Sequence, residues 1–387
     1  MRFLDYVSIN PKISLEKERI YPFVEMGDVS TSFRNPDKVE YKSFDSGVKF
    51  ADGDTVIARI TPCLQNGKRF YCKNIGKGFG STEYLVFRPK DSSVDNLYLY
   101  YFMNTDFIKE SMVRSMVGAT GRQRVNNDVF SRLDVTFPNI EIQRRIAEIL
   151  STYDDLIENN RKQIKLLEEA AQRLYKEWFV DLRFPGHENT KITDGVPEGW
   201  HKTTLAEIAA IIKRGISPKY ADDGKYTVIN QKCIRGSVMD ITESRKQEKQ
   251  YELTLNIQDC DTVICSTGTG TLGRVGQIYG DYPNTTFDSH VTLVRAKENP
   301  NFMYHVIKNQ QEFLMGMGRG STNQQELYRN VIENIEVLLP DRRLLLQTEE
   351  LLNTIHNKIE TVYSQTAILT EARDCMLPKL MSGEIEV

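Results

Sequence analysis

The segment at residues 141–179 reads EIQRRIAEILSTYDDLIENNRKQIKLLEEAAQRLYKEWF and contains neither proline nor glycine. Its apolar residues recur in a heptad rhythm, with Ile146, Tyr153, Leu167 and Leu174 at one core position and Ile149, Leu156 and Ala170 at the other. A helix over this stretch would be about 58 Å long at about 1.5 Å per residue, several times longer than the average globular helix. Such a helix needs a partner that covers its apolar stripe.

The same chain supplies a partner, because the pattern repeats. A shift of 202 residues lays Val129, Leu133, Pro138, Leu150, Leu167, Glu169 and Ala170 on Val331, Ile335, Pro340, Leu352, Leu369, Glu371 and Ala372. The second copy keeps the heptad phase through Ile355, Val362, Leu369 and Met376. Both copies also widen the stripe one residue past the second core position, at Leu150 and Ile157 and at Leu352 and Ile359. A single apolar stripe is usually a core helix, but two stripes in the same phase predict two long helices that bury each other.

Composition bounds the class of protein. The chain has 387 residues and a hydrophobic content of 40%, which is ordinary for a soluble protein of two or three domains. No apolar run approaches the ~18–20 residues of a membrane span and the first residues lack a signal peptide's apolar segment, so we expect a cytoplasmic protein without a membrane partner. Six cysteines without a Cys-x-x-Cys pair and five histidines without ligand spacing predict no disulfide framework, metal site or cofactor. With a net charge of −3, a nucleic-acid binder of this composition must gather its basic residues locally.

The repeat extends beyond the helices. DTVI at residues 54–57 returns at 261–264, and GATGRQ at 118–123 is matched by GSTNQQ at 320–325. The surrounding residues diverge, which indicates one fold that holds two different recognition surfaces, although a plain structural duplication would explain the matches equally well. The predicted parts are a recognition domain at residues 1–135, a long helix at 136–182, a linker at 183–199, a second recognition domain at 200–335, and a distal helix with the C-terminal segment at 336–387.

Four further segments carry a family resemblance. They are ENNR at 158–161, LYKEWFVDLRFP at 174–185, VPEGW at 196–200 and LPKLMSGEI at 377–385. With these segments the chain resembles, over nearly its whole length, the specificity subunit of type I restriction-modification systems. One departure is that nothing like VPEGW precedes the first recognition domain.

The resemblance implies an α+β fold. Two similar mixed α/β target recognition domains would be separated by two long antiparallel coiled-coil helices in a pseudo-two-fold internal repeat. It also implies a non-catalytic subunit in which each domain reads one half of a split double-stranded DNA site. The helices would dock modification (methyltransferase) subunits, two in number, which use S-adenosylmethionine. Restriction subunits, as ATP-dependent translocases and nucleases, would complete the complex.

Polar residues near the repeated motifs are the candidate DNA contacts. In the first domain they are Arg59, Thr61, Gln65, Asn66, Lys68 and Arg69, followed by Arg122, Gln123, Arg124 and Asn126. In the second domain they are Thr267, Thr269, Thr271 and Arg274, followed by Arg319, Ser321, Thr322, Asn323 and Gln324. Arginine can pair with guanine, and asparagine or glutamine with adenine, whereas lysine mostly meets phosphate. Each of these residues taken alone is more often a solvated surface residue or part of a turn.

Two other functions compete with DNA reading. One is a stand-alone nuclease or nucleotide-dependent enzyme, built on Glu40-Tyr41-Lys42 or on the GTGTLG loop at residues 268–273. That loop spells a dinucleotide-binding motif, but the motif needs a helix to begin inside it, and the residues that follow look like a strand. The other is a structural coiled-coil scaffold, which predicts no sequence preference. The sequence contains no Asn-Pro-Pro-aromatic tetrad, Walker loop or helicase acidic box.

Overall fold

The computed structural model of the chain describes residues 2–234, 236, 239–268, 270–318 and 325–387. Contacts divide the chain into two compact units. Unit 1 comprises Met1–Asn160 and Gln365–Val387, and unit 2 comprises Arg161–Ser364. Each unit therefore contains sheets together with a part of both long helices.

The elements of unit 1 are short apart from the two long helices. Its strands are β1 Val7–Ile9, β2 Ile20–Val24, β3 Glu40–Ser43, β4 Val48–Phe50, β5 Thr55–Ala58, β6 Arg69–Tyr71, β7 Gly78–Gly80 and β8 Tyr84–Pro89. Its helices are α1 Phe3–Tyr6, α2 Asn96–Phe102, α3 Asp106–Arg114 and α4 Asp128–Arg132, with the first part of α5 Ile140–Tyr175.

Unit 2 begins within α5, which runs into a π-helical turn at Lys176–Val180. Its strands are β9 Ile192–Thr193, β10 Val196–Pro197, β11 His201–Thr204, β12 Ala209–Arg214, β13 Tyr226–Ile229, β14 Arg245–Gln247, β15 Thr262–Cys265, β16 Val275–Gln277, β17 Thr285–Phe287, β18 Val291–Ala296 and β19 Glu336–Leu339. Its helices are α6 Leu205–Ile208, α7 Pro300–Asn309, α8 Gln311–Gly316, α9 Arg329–Glu333 and the first part of α10 Arg342–Ser382, whose last part belongs to unit 1.

The two units repeat one sheet topology. Unit 1 has a four-stranded sheet in the order β1-β8-β5-β6, and unit 2 has its counterpart in the order β12-β18-β15-β16. In both, the central apolar strand, β5 or β15, is buried at every position. A second sheet in each unit pairs two strands in parallel, β2 with β7 and β13 with β17. The prediction of one fold used twice is confirmed by this order.

A buried ion pair anchors the same strand in each unit. Asp54 accepts two hydrogen bonds from Arg88 at 2.6 and 2.7 Å in unit 1. Asp261 accepts the same two bonds from Arg295 in unit 2, again at 2.7 and 2.6 Å. The repeated aspartate of the DTVI motif is therefore a structural residue that ties the start of its strand to the neighbouring strand.

Both long helices start from equivalent caps. The Asn139 side chain accepts a hydrogen bond from the backbone of Ile142 at 2.9 Å before α5, and the Asp341 side chain accepts one from Arg343 at 2.9 Å before α10. A side-chain oxygen at this position satisfies an amide that has no partner inside the helix.

Within each unit the two helices run antiparallel. In unit 1, Ile146 belongs to one apolar cluster with Leu380, and Asp154 contacts Arg373. In unit 2, Tyr175 belongs to one cluster with Leu344, while Ala171 lines a common space with Leu352. Higher residue numbers in α5 therefore meet lower numbers in α10, which confirms the predicted antiparallel pair in each unit.

The predicted second core position is wrong at Leu156 and Ala170, whereas the predicted widening of the stripe to Leu150 and Ile157 is confirmed. Leu156 is 46% exposed and Ala170 is exposed, whereas Leu150 and Ile157 are fully buried. In α10, Leu352 and Ile359 are buried in the same way. Apolar residues stand next to each other at 149–150 and at 156–157, so spacing alone did not decide which of each pair faces inward.

No helix in the described part of the chain is both long enough and apolar enough to cross a membrane.

Candidate nucleic-acid interface

The fold brings the two candidate clusters of unit 1 together. The Thr61 backbone N–H donates to the Gln123 carbonyl at 2.9 Å, and the Val125 N–H donates to the Arg59 carbonyl at 2.9 Å. Arg124 also forms an isolated bridge with Ile60. Residues 59–69 and 117–126 therefore form one continuous surface at the end of β5, which we name polar surface 1.

Three of the five charged candidates on polar surface 1 hold the loops in place. Lys68 Nζ donates to the Met26 carbonyl at 2.6 Å, and Arg69 donates to the Gly67 carbonyl at 2.9 Å. Arg59 donates to the Val125 carbonyl at 3.3 Å, and Thr61 Oγ1 lies 3.7 Å from the Met116 sulfur. These bonds fix the side chains and so shape the surface, while each lysine or arginine keeps further donors.

The exposed candidates are the ones that project from polar surface 1. Gln65, Asn66, Arg122 and Asn126 are exposed, while Gln123 is half-buried. Arg124 is held by Glu83, with Arg124 NH2 at 2.6 Å from Glu83 Oε1. The Arg124 guanidinium lowers the pKa of Glu83, so this carboxylate stays ionised. A DNA phosphate would therefore have to displace Glu83 from Arg124.

Unit 2 carries an equivalent surface at the end of β15. Leu327 N–H donates to the Ser266 carbonyl at 2.9 Å, and Thr267 forms a bridge with Glu326. Residues 266–268, 270–274 and 325–327 thus meet as their counterparts do in unit 1, and we name them polar surface 2. The candidates Thr269, Arg319, Ser321, Thr322, Asn323 and Gln324 lie outside the described residues.

The remaining candidates of polar surface 2 are tied to neighbours that sequence reasoning missed. Thr267 Oγ1 lies 2.6 Å from His290 Nδ1, and Thr271 Oγ1 donates to Gln231 Oε1 at 2.9 Å. Arg274 donates to the carbonyl of Gly270 at 2.7 Å. The hydroxyls that the sequence offered for phosphate contact are therefore part of a network with an imidazole and an amide.

Gln231 also lines an open cavity of about 360 Å³ in unit 2. Polar and charged residues share its wall: Tyr220, Asn230, Gln231, Lys232, Glu243, Ser244, Arg245 and Asp288. The Arg245 guanidinium carbon stands 3.6 Å from the centre of the Tyr220 ring. A guanidinium on an aromatic ring suits nucleic-acid contact, because both groups can stack on bases. No fixed spacing in the sequence links Tyr220 to Arg245. The sequence signal near Tyr220 is the pairing of basic and aromatic residues at Lys219-Tyr220 and Lys225-Tyr226.

The enzyme alternatives find no support at their own residues. Gly273 ends a turn and strand β16 begins at Val275, so no helix starts among the described residues of the GTGTLG loop, 268 and 270–273. Glu40 is paired with Lys38 and Lys42, and these lysines lower the pKa of Glu40 to about 2. Glu40 is thus an ionised carboxylate on β3 whose charge is offset by Lys38 and Lys42.

Comparison with known proteins identifies the repeat. The family model described as "Type I restriction modification DNA specificity domain" matches residues 8–169 and again residues 197–360. Among curated relatives, the type I restriction enzyme MjaIX specificity subunit of Methanocaldococcus jannaschii is 25% identical, over 77% of this chain and 71% of that protein. The HindI specificity subunit of Haemophilus influenzae is 23% identical, over 94% of each chain.

A solved structure has the same fold. It is the type I restriction-modification S subunit from M. genitalium, which superposes with a TM-score of 0.58 at 18% identity, covering 98% of this chain and 95% of that one. The two family matches together span most of the chain. The chain therefore belongs to the type I restriction-modification DNA specificity family, whose domain it carries twice, and its function is that of a DNA-target specificity subunit.

Proposed function

We propose that this subunit reads a split double-stranded DNA target, with residues 1–135 contacting one half and residues 200–335 contacting the other. The observation that carries the proposal is the pair of polar surfaces. They lie at the ends of equivalent strands, in sheets with the same strand order, but they present different side chains. Surface 1 offers exposed arginine, asparagine and glutamine, and surface 2 offers threonines next to His290 and Gln231. Different donors and acceptors select different base edges, so one fold would read two unlike half-sites.

The same proposal makes the chain a subunit without its own catalysis. Glu40 is neutralised by lysines, and the GTGTLG loop leads into a strand. Methylation and cleavage would be carried out by modification and restriction subunits, and this chain would direct them to their site. The linker would be residues 183–199, between the helix at 136–182 and the second recognition domain.

Two modification subunits are proposed because the long helices present equivalent apolar points. Leu166 is 65% exposed and Ile368 is 66% exposed, and the two are related by the shift of 202 residues. We take this matched pair as the points at which two copies of one partner would contact the helices, one on each repeat. The segments at 136–182 and 336–387 would carry these two sites.

A binding selection tests the proposal. The full chain, alone and with its modification subunits, is incubated with random double-stranded DNA, and the bound fraction is sequenced. We expect a consensus in two separated parts. A single uninterrupted consensus would refute two half-site readers, and no consensus would favour a structural scaffold. The same purified chain with DNA, magnesium and nucleotide should neither cleave nor methylate, and either activity would refute the non-catalytic role.

A further inference from the structure

Three groups with metal-ligating atoms meet in unit 2, where a loop residue pair packs against helix α10. His356 Nε2 lies 2.9 Å from Asp259 Oδ1 and 3.4 Å from Cys260 Sγ. The Cys260 sulfur lies 3.3 Å from Asp259 Oδ2. His356 is 2% exposed, and Cys260 is half-buried. Among the described residues these three form the one group of ligand atoms within 4.8 Å of one another.

The turn that holds Asp259 and Cys260 is a copy of a turn in unit 1. Gly53 N–H donates to the Cys72 carbonyl, and Cys260 N–H donates in the same way to the Ile278 carbonyl. The aspartate before each residue accepts a backbone N–H from the loop opposite: Asp52 from Gly76 and Asp259 from Gly280. The two turns therefore share these two hydrogen bonds.

The two turns differ at one residue: Cys260 stands where unit 1 has Gly53. The backbone is left-handed at both positions, with φ +87° at Gly53 and φ 63° at Cys260. Glycine adopts this conformation freely, whereas a side chain makes it costly. Unit 2 keeps a cysteine where its own repeat uses glycine, and residues held in such conformations cluster at functional sites.

The helix departs from the repeat at the facing position. His356 corresponds to Asp154 under the shift of 202 residues. Asp154 points into unit 1 towards Arg373, while His356 points Nε2 at the cysteine and aspartate and stacks on Tyr279 with ring centres 4.5 Å apart. Two substitutions relative to the first repeat thus create the sulfur and nitrogen ligands, and the retained aspartate supplies the oxygen.

We propose that Asp259, Cys260 and His356 bind a zinc ion, with solvent as the fourth ligand. Zinc bond lengths of about 2.0–2.3 Å place the ligand atoms of a tetrahedral site about 3.3–3.6 Å apart. The Nε2–Oδ1 separation of 2.9 Å is shorter than this, the Sγ–Nε2 separation of 3.4 Å matches it, and one ligand atom of each residue lies within 4.8 Å of the other two, so side-chain rotation can place the three atoms around one ion. A sulfur, nitrogen and oxygen set selects zinc over magnesium or calcium, which take oxygen ligands. Cys260 is only partly buried, which leaves a path for entry.

The metal replaces a proton at the sulfur. In the metal-free protein the Cys260 thiol donates a hydrogen bond to Asp259 Oδ2 at 3.3 Å. A bound divalent cation takes the place of this proton and neutralises the carboxylate beside it. The ion would then link the loop at 259–260 to α10 across 96 residues of sequence within unit 2.

Cobalt(II), which reports thiolate ligation through a charge-transfer absorption band, is the probe. The full chain, without a histidine tag, is stripped with chelator and titrated with cobalt chloride, and zinc content is measured separately after reloading. We expect one equivalent of metal and the thiolate band in the wild-type chain. The variant Cys260→Gly restores the residue of the equivalent turn, so it should fold normally while losing both the band and the metal. His356→Gln should weaken binding by about tenfold or more.

Two controls separate this site from accidental binding. Cys375→Ser removes an exposed cysteine elsewhere and should keep the band and the stoichiometry. Zinc should raise the Tm of the wild-type chain and leave the Tm of Cys260→Gly unchanged, because ligands stabilise only a fold that binds them. A wild-type chain that retains no metal would overturn the proposal. So would a Cys260→Gly variant that keeps the band or the zinc-dependent rise in Tm.

Discussion

Asp154 and Arg373 form a buried ion pair in unit 1, with Arg373 NH1 2.7 Å from Asp154 Oδ1. The second oxygen of Asp154 accepts the Tyr101 hydroxyl at 2.6 Å, and Arg373 also donates to the Ser32 carbonyl at 3.1 Å. Under the shift of 202 residues, the position of Arg373 in α10 corresponds to Ala171 in α5. The seam therefore carries a charged pair in one unit that the other unit lacks, and such a pair can set the register of two helices.

Removing one partner of this pair should be costly. Arg373→Met leaves Asp154 buried without its guanidinium, so the free energy of unfolding should fall by about 3–5 kcal/mol. Asp154→Leu combined with Arg373→Met removes both charges and should recover most of that loss. Urea unfolding followed by circular dichroism measures both. The control is Lys165→Ala, which breaks an exposed pair with Glu169 and should cost less than about 1 kcal/mol. A single Arg373→Met variant as stable as this control would contradict the role of the pair.

The architecture could be predicted from the sequence because the two halves of the chain match each other. The repeated heptad phase and the DTVI motif predicted one fold used twice and two long helices that bury each other, and the family resemblance implied that these helices are antiparallel. Spacing failed where neighbouring residues were both apolar, as at Leu156 and Ile157, because only packing decides which one turns inward. Spacing also gave no sign that Asp154 is buried, because a charged residue within a helix is usually exposed to solvent and its partner Arg373 lies far away in the sequence.

Some residues of the candidate sites could likewise be grouped from the sequence, and others could not. The sequence placed residues 59–69 and 122–126 in the same domain, and hydrogen bonding between loops made them one surface. It had no means of pairing Tyr220 with Arg245, or His356 with Cys260, because those contacts join distant segments at no fixed spacing. Their discovery required the turns and sheets that bring the segments together.

The exposed apolar points on the helices give a stoichiometry prediction. Leu166→Asp should remove one of two modification subunits from the assembled complex, and Ile368→Asp should remove the other, because a buried carboxylate without a partner opposes docking. Native mass spectrometry of the reconstituted complex counts the subunits. Leu253→Asp is the control, since Leu253 is 79% exposed but lies outside the two long helices α5 and α10. If both variants still carry two modification subunits, the proposed docking points are wrong.

Polar surface 1 gives a salt-dependence prediction. Arg122→Ala combined with Arg124→Ala should weaken binding to every DNA sequence and flatten the salt dependence by roughly one unit for each lost phosphate contact. If either arginine pairs with guanine instead, the loss should be about 1–3 kcal/mol at one base position. Fluorescence anisotropy over a salt series separates the two cases.

Its control removes an arginine of the same unit that lies away from this surface. Arg19→Ala breaks only the exposed contact with Glu16, so affinity and salt slope should stay as in the wild-type chain. A double variant of Arg122 and Arg124 that behaves like Arg19→Ala would place both arginines outside the interface.

His305 gives a pH prediction for unit 2. Burial, with a smaller contribution from Lys308, lowers the pKa of His305 to about 3. The unfolded chain takes up this proton near pH 6.5 and the folded chain does not, so stability falls as pH drops below about 6.5, by about 1.4 kcal/mol per pH unit until about pH 3. His305→Phe should therefore reduce the loss between pH 7.5 and 5.0 by about 2 kcal/mol. Denaturant midpoints at the two pH values measure it, with exposed His201→Phe as a control that keeps the wild-type loss. An unchanged loss in His305→Phe would refute a neutral buried histidine.

Each repeat is proposed to read one half of the DNA target. Methylation mapping tests this in cells that carry this chain with its modification subunits, before and after residues 1–135 are replaced by the corresponding domain of a relative. We expect one half of the methylated sequence to change to that of the donor and the other half to stay the same. Changes in both halves, or an active complex with an unchanged target, would contradict it.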